Sequence, residues 1–395
     1  MDDDRWLLPE GIDEVLPPEA WQLEAARRRL LDLFRTWGYE LVIPPFIEYL
    51  DSLLTGTGRD LELQTFKLTD QLSGRLMGIR ADITPQAARL DAHQLRRDQP
   101  TRLCYLGTVL HSRPDGFASS RSPLQLGAEL YGHAGVESDV EIVCLMMQTL
   151  ASAGVGDVYL DLGHVGVYRG LARATGLAPA QETTLFDALQ RKAEPEIEAL
   201  VREFGVGEPN AAMLMALAEL NGGAEVLGRA RQQLARAPAD VLAAIDYVDA
   251  VGRELRHRLP TVPIHIDLAE LRAYHYQTGV VFAAFVPGEG EEIARGGRYD
   301  NIGREFGRAR PATGFSADLK TMLRVAGYDA SLPDEAPRVF APAIVDAGLE
   351  ASIDELRGGG RIVVRELPGQ LGDAAAMGCS EQLVYNGRNW VIEPV

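Results

Sequence analysis

The chain has 395 residues, 46% hydrophobic and 24% charged, enough for two or three domains around a substantial core. Its formal net charge of −18 offers no basic footprint for a phosphate backbone, which argues against a nucleic-acid partner. Cys104, Cys144 and Cys379 match no zinc or disulfide spacing, no run of about 20 apolar residues suggests a membrane span, and the acidic start MDDDRWLLPEG lacks signal-peptide order, so a reducing, cytoplasmic setting without a membrane partner is expected.

Leu23, Ala26, Leu30, Phe34 and Trp37 recur at helical spacing and predict a long first helix within residues 17–38, ended by Gly38, with Arg27, Arg28 and Arg29 on a solvated face. A β-rich stretch from Tyr39 to Tyr49 follows, with Pro44 and Pro45 inside it. Phe66, Leu68, Met77 and Ile79 mark the next strands, with a turn near Gly74. In GIRADITPQAAR, Gly78 to Arg89, the run Asp82-Ile83-Thr84-Pro85 has the form of a helix start, with Thr84 as N-cap and Pro85 at the first helical position.

Two β-type runs, Leu103 to Leu110 and Leu124 to Tyr131, flank a turn at Pro114-Asp115-Gly116 and predict an antiparallel hairpin with a long tip. Gln125, Gly127 and Glu129 lie two residues apart and project from one face. The missing side chain at Gly127 leaves a polar floor that a ligand's backbone could approach. A helix is expected from about Ser138 to Ser152, then a strand and a helix start over residues 158–171, where the lone His164 reads as structural.

Residues 172–258 lose β-type alternation and read as an all-helical module broken at Gly222-Gly223, with Met213 and Met215 as packing residues. Strands resume at Val262 to Leu268, and the stretches Glu270 to Gly288 and Arg295 to Ile302 follow. His265, Asp267 and His275 fit no standard ligand spacing, so no metal and no cofactor are expected. Gly327 to Pro337 reads as a linker. Beyond it come a strand at 339–344, a helix at 347–356, a strand at 361–366 and a hairpin through Asn386-Gly387, the dipeptide of type I′ turns.

Taken in order, Gly78 to Arg89, Gln125-Leu126-Gly127-Ala128-Glu129, Glu270 to Phe282 and Gly296-Gly297-Arg298-Tyr299-Asp300 resemble the motifs of class II aminoacyl-tRNA synthetases, specifically histidyl-tRNA synthetase. The resemblance implies an α+β fold, an antiparallel sheet flanked by helices over residues 1–171 and 259–326, with a helical insertion at 172–258 and a small C-terminal α/β domain at 331–395. It implies a homodimer built on the motif 1 region, with Pro44 or Pro45 as the motif's proline. It places Arg80, Asp82 and Thr84 on the synthetase's Arg, Glu and Thr, whose carboxylate and hydroxyl receive an amino acid's ammonium group. That is sound chemistry, because an ammonium needs an anionic acceptor and neutral oxygens to replace its water. By the same resemblance Gln125, Glu129, Arg272, Tyr276 and Tyr299 join Asp82 and Thr84 in an L-histidine pocket, with Arg272 able to bind a carboxylate bidentately.

The departures are equally specific. The synthetase's Phe-Arg-x-Glu is Val109-Leu110-His111-Ser112 here, its motif 3 Glu-Arg is Lys320-Thr321, and in the Arg272 segment its Asp and second Tyr become His275 and Gln277. Both arginines that clamp ATP phosphates in the synthetases are thus replaced, and the last 65 or so residues are too few for an anticodon-binding domain. This combination resembles the family of ATP phosphoribosyltransferase regulatory subunits, synthetase paralogues. That resemblance implies a non-catalytic chain that joins a short-form catalytic subunit in a hetero-octamer and mediates feedback inhibition by histidine at the first step of histidine biosynthesis. Two alternatives stay open: an active histidyl-tRNA ligase using Arg113 as a substitute clamp, and a paralogue sensing another amino acid.

Overall fold

The structure is a computed structural model that describes residues 6–55, 59–114, 120–270, 277–327 and 337–395. The chain forms two compact units, Met1–Tyr328 and Asp329–Val395. The first is organised on a sheet whose described strands run, edge to edge, Glu40–Leu41, Thr101–Thr108, Leu124–Tyr131, Ala312–Asp318, Ala294–Arg298, Val280–Phe285, Tyr159–His164, Ile264–Asp267 and Asn221–Gly222. Most neighbours are antiparallel; the Glu40–Leu41 and Ile264–Asp267 strands pair in parallel with Thr101–Thr108 and Tyr159–His164.

One sheet face is apolar and carries the helices. Leu126, Ala128 and Leu130 alternate with Phe315 and Ala317, Phe282 and Ala284, and Leu160 and Leu162, all buried in one core. Against them lie the helices Glu19–Thr36, Val136–Ser152 and Ala239–Arg258. The first helix buries Ala26, Leu30 and Phe34, one residue per turn, and Phe34 meets Phe315 edge-on at 6.2 Å between centroids. Trp37 lies just past its end, and Gly38 takes the left-handed conformation (φ +80°) that stops it, as its place in the sequence predicts.

Residues 172–258 supply helices, but they are not an all-helical block. Asn221–Gly222 pairs with Ile264–Asp267 at the sheet edge, and the helices' apolar sides share the sheet's core. Met213 is buried as expected, whereas Met215 is exposed. His164 is structural: its Nδ1 accepts the Gly166 N–H at 3.0 Å and caps helix Val165–Thr175, and burial lowers its pKa to about 4, so the ring is neutral. A separate three-stranded sheet joins Ile47–Tyr49, Leu76–Ile79 and Phe66–Thr69, with Gly74 (φ +70°) in the turn between the last two.

The second unit has a four-stranded sheet, in the order Val363–Arg365, Val339–Ala341, Glu381–Tyr385 and Trp390–Pro394, packed on helix Ala347–Gly358 through Leu349 and Ile353. Asp346 caps that helix, accepting from Leu349 N at 2.8 Å and Trp390 Nε1 at 2.7 Å. The first strand is shorter than expected. The final hairpin is not type I′ either: Gly387 (φ +90°) is the turn residue with positive φ, a pattern that suits type II′.

Candidate functional site

The opposite sheet face holds the polar residues. Strand Leu124–Tyr131 turns Leu126, Ala128 and Leu130 into the core, so Gln125, Gly127 and Glu129 face the other way, as the alternation predicts. Gln125 is fixed from both ends: its Nε2 donates to Asp82 Oδ1 at 2.7 Å, and its Oε1 accepts from Ile83 N at 2.8 Å. Asp82 Oδ1 also accepts the Thr84 N–H at 3.0 Å.

Thr84 is not the N-cap. Helix Thr84–Arg89 begins at Thr84 itself, which leaves the hydroxyl free to meet Tyr105 OH at 2.9 Å. The Tyr105 hydroxyl donates to Glu129 Oε1 at 3.0 Å, and Tyr299 OH donates to Glu129 Oε2. One chain of hydrogen bonds thus joins Asp82, Gln125, Thr84, Glu129 and Tyr299. Arg272 and Tyr276 lie outside the described residues.

Tyr105 is the member that sequence reading missed, and it corrects the picture at Gly127. The two residues pair across the hairpin, and a Cβ on Gly127 would lie 2.5 Å from Tyr105 Cζ. The gap is therefore filled by a phenol, not left open for a ligand's backbone. An aromatic opposite a glycine in the predicted hairpin was the available signal.

Glu129 is about 1% exposed, and burial pushes its pKa up to about 8; the hydrogen bonds from Tyr299 and Tyr105 pull it back, and the Asp82 charge adds to the rise. At neutral pH its carboxyl is mostly protonated. Gly314 makes room for it: a Cβ there would overlap Glu129 Oε2. Gly314→Ala is therefore expected to displace the carboxyl and, because the same Cβ would come within 2.8 Å of Ala128 O on the paired strand, to lower the melting temperature as well, read by thermal unfolding.

The neighbouring arginines are structural. Arg80 Nε donates to Thr108 O and its Nη1 to Pro44 O, both at 2.9 Å, tying three chain segments together. Arg298 is buried and donates to Asp139 Oδ1 and Ser138 Oγ at 2.9 Å and to His133 O at 3.1 Å, which anchors the strand end that presents Tyr299.

At the two positions that the resemblance aligns with the synthetases' phosphate-binding arginines, neither side chain is cationic: Leu110 is aliphatic and its backbone N donates to Arg80 O at 3.0 Å, and Thr321 Oγ1 donates to Asp318 Oδ2 at 2.7 Å within a helix cap. Lys320 Nζ donates to Asp13 Oδ2 and Ser122 O, each at 2.8 Å. Arg113 is exposed, and Asp115 and Gly116 of the hairpin tip lie outside the described residues. His265 pairs with Asp161 at 2.9 Å and Asp267 with Lys192 at 2.7 Å; among the described residues no group of three or more His, Cys, Asp or Glu is placed to hold a metal ion.

The histidyl-tRNA synthetase family profile matches residues 11–322, and the profile of the ATP phosphoribosyltransferase subunit HisZ C-terminal domain matches residues 336–393. The chain is 59% identical over 394 residues to the ATP phosphoribosyltransferase regulatory subunit of Alkalilimnicola ehrlichii, covering 100% of this chain and 98% of that protein. It is 58% identical over 393 residues to that of Methylococcus capsulatus, covering 100% and 97%. The chain belongs to the ATP phosphoribosyltransferase regulatory subunit family. Among solved structures, an ATP phosphoribosyltransferase regulatory subunit/histidyl-tRNA synthetase from Bacillus halodurans is similar at a TM-score of 0.82 and 25% identity, covering 94% of this chain and 96% of that one. Histidyl-tRNA synthetase from Nostoc sp. PCC 7120 shares the fold at a TM-score of 0.77, covering 96% and 91%. The fold is thus the class II synthetase-like α+β architecture, and in this regulatory subunit family the second unit coincides with the family's own C-terminal domain.

Proposed function

We propose that this regulatory subunit senses free L-histidine for an ATP phosphoribosyltransferase and mediates feedback inhibition at the first step of histidine biosynthesis. The observation that carries the reading is the hydrogen-bonded chain from Asp82 to Tyr299, a prebuilt set of acceptors on one sheet face. Asp82, Thr84 and Gln125 receive the ammonium group, and Glu129, between two phenols, faces the ring. Supporting a non-catalytic role, Leu110 and Thr321 supply no cationic group for ATP phosphates. The partner is a short-form catalytic subunit in a hetero-octamer in the cytoplasm; no described helix is long and apolar enough to cross a membrane. A homodimer forms through the motif 1 region, where Leu41, Ile43, Phe46 and Ile47 are exposed.

Calorimetry against all common amino acids tests the ligand. The expected result is binding of L-histidine alone, with an affinity that changes when the catalytic subunit and its substrates are added, because coupling between sites is reciprocal. Histidine-dependent ATP–pyrophosphate exchange would instead establish a working ligase.

The protonation of Glu129 makes a further expectation. Ring and carboxyl share one proton when histidine is bound. Free Glu129 loses its proton as pH passes about 8, and free imidazole gains one below roughly 6.5. Affinity is therefore greatest between those values and falls on both sides; a flat profile from pH 5.5 to 9 would remove Glu129 from the ring's environment.

A further inference from the structure

The second unit carries an apolar surface that no described residue covers. Its strands Val339–Ala341, Val363–Arg365 and Glu381–Tyr385 run parallel, so the segments that follow them emerge at one end of the sheet. There Val345 is 99% exposed and Leu371 96%, and Ile344, Leu367 and Tyr385 are exposed as well. A lone exposed aliphatic is ordinary, but five large apolar side chains on three adjoining segments make a patch. The carboxyl end of the strands is also where open α/β sheets place their binding loops.

The two loops that carry the aliphatics are tied down. Glu366 N donates to Ala341 O at 2.8 Å, and the Glu366 carboxylate accepts Ala343 N at 2.9 Å. Arg365 Nη2 donates to Ile344 O at 2.9 Å while its Nη1 pairs with Glu350. Leu367 N donates to Gln370 Oε1 at 2.7 Å. Side chains held on such loops are ready for a partner, which loses little entropy in ordering them.

The charges around the patch select its occupant. Asp346, Glu350, Glu366 and Asp373 lie on or beside these segments against Arg365 and Arg388, and Arg365 is already paired with Glu350. A second copy of the chain would bring acids against acids, on top of a net charge of −18 on each. A complementary occupant instead rims its apolar contact with Lys and Arg. The synthetase profile ends at residue 322, whereas this unit has a profile of its own, named for the ATP phosphoribosyltransferase subunit. A surface confined to what the regulatory family adds to the synthetase-like body serves what that family does, which is to act on a catalytic subunit.

We propose that this end of the second unit docks the short-form catalytic subunit, whose facing surface is an apolar hollow rimmed by Lys and Arg. The inference rests on the proposed catalytic partner. Val345 and Leu371 are its anchors, because they have the most apolar surface left to bury.

The test is association of the full chain with the short-form catalytic subunit, for wild type, Val345→Asp and Leu371→Asp, measured by analytical ultracentrifugation. Each substitution is expected to weaken association roughly 10-fold or more, because it sets a carboxylate where an aliphatic anchor is desolvated. Both side chains are almost fully exposed in the free chain, so its melting temperature and its own oligomeric state stay as they are. Association within twofold of wild type for both variants overturns the docking surface and leaves the partner reading standing. Variants that lose self-association of the chain alone reveal an interface between copies, and overturn the proposal too. A wild type that does not associate with the catalytic subunit overturns the partner reading and this inference together.

Discussion

Glu129→Gln is expected to weaken L-histidine binding by roughly 10- to 150-fold, because the proton shared by ring and carboxyl in the complex makes theirs a charge-assisted hydrogen bond, worth about 1.5–3 kcal/mol, that a carboxamide cannot form. The side chain is fully enclosed and bonded by Tyr105 and Tyr299, so among the described residues nothing else is placed to substitute for it. Calorimetry at pH 7 reads the effect. The same variant should change stability in a defined direction. Folded Glu129 keeps its proton up to about pH 8, while in the unfolded chain the carboxyl ionises near its ordinary value of 4.5. The folded state thus binds more protons between those limits, and wild-type stability declines as pH rises from about 5 through 8. A carboxamide does not titrate, so Glu129→Gln loses that slope and is the more stable protein at pH 8.5, measured without ligand by thermal unfolding. Identical slopes for the two proteins would mean that Glu129 is ionised in the native state.

The second large effect concerns Arg298 and Asp139. Asp139 is wholly buried, and its carboxylate is held by Arg298 and by the Tyr247 hydroxyl at 2.5 Å. Burial pushes the Asp139 pKa up despite the guanidinium, whereas the guanidinium's own charge is held by Asp139 against the same burial. These directions oppose each other. The pair is best taken as ionised, because Arg298 also meets His133 O, Gly135 O and Ser138 Oγ and an arginine does not give up its proton. Arg298→Met leaves a buried carboxylate without its counter-charge and should destabilise the first unit by about 3–5 kcal/mol. Adding Asp139→Leu should recover part of that loss, since a buried pair replaced on both sides is far less damaging than one broken on one side. Urea unfolding of the wild type, both single variants and the double variant measures the coupling. A double variant no more stable than Arg298→Met would trace the loss to packing.

Five of the seven proposed ligand residues, Asp82, Thr84, Gln125, Glu129 and Tyr299, are brought together by strands and a helix whose positions the sequence signals. Alternation in Leu124 to Tyr131 places Gln125 and Glu129 on one face because the other face carries Leu126, Ala128 and Leu130. Helical spacing, the Gly38 stop and the paired prolines locate the first helix equally well. The limits are physical too. Thr84 reads as a cap from its neighbours, but the Asp82 carboxylate takes its N–H and the nearby Tyr105 takes its hydroxyl. Which groups compete for a hydrogen bond depends on residues distant in the chain.

Composition, periodicity and ordered motifs were enough to specify the synthetase-like architecture, the helix-rich stretch at 172–258 and the strand that presents the polar pair. Tertiary packing settled the rest. In strand Thr101–Thr108, Leu103, Cys104 and Tyr105 are all buried. A central strand covered on both faces carries no polarity alternation to show which side chain points into the site. Only the register with Leu124–Tyr131, which sets Tyr105 beside Gly127 and Gly314 beside Glu129, turns separate motifs into one hydrogen-bonded pocket.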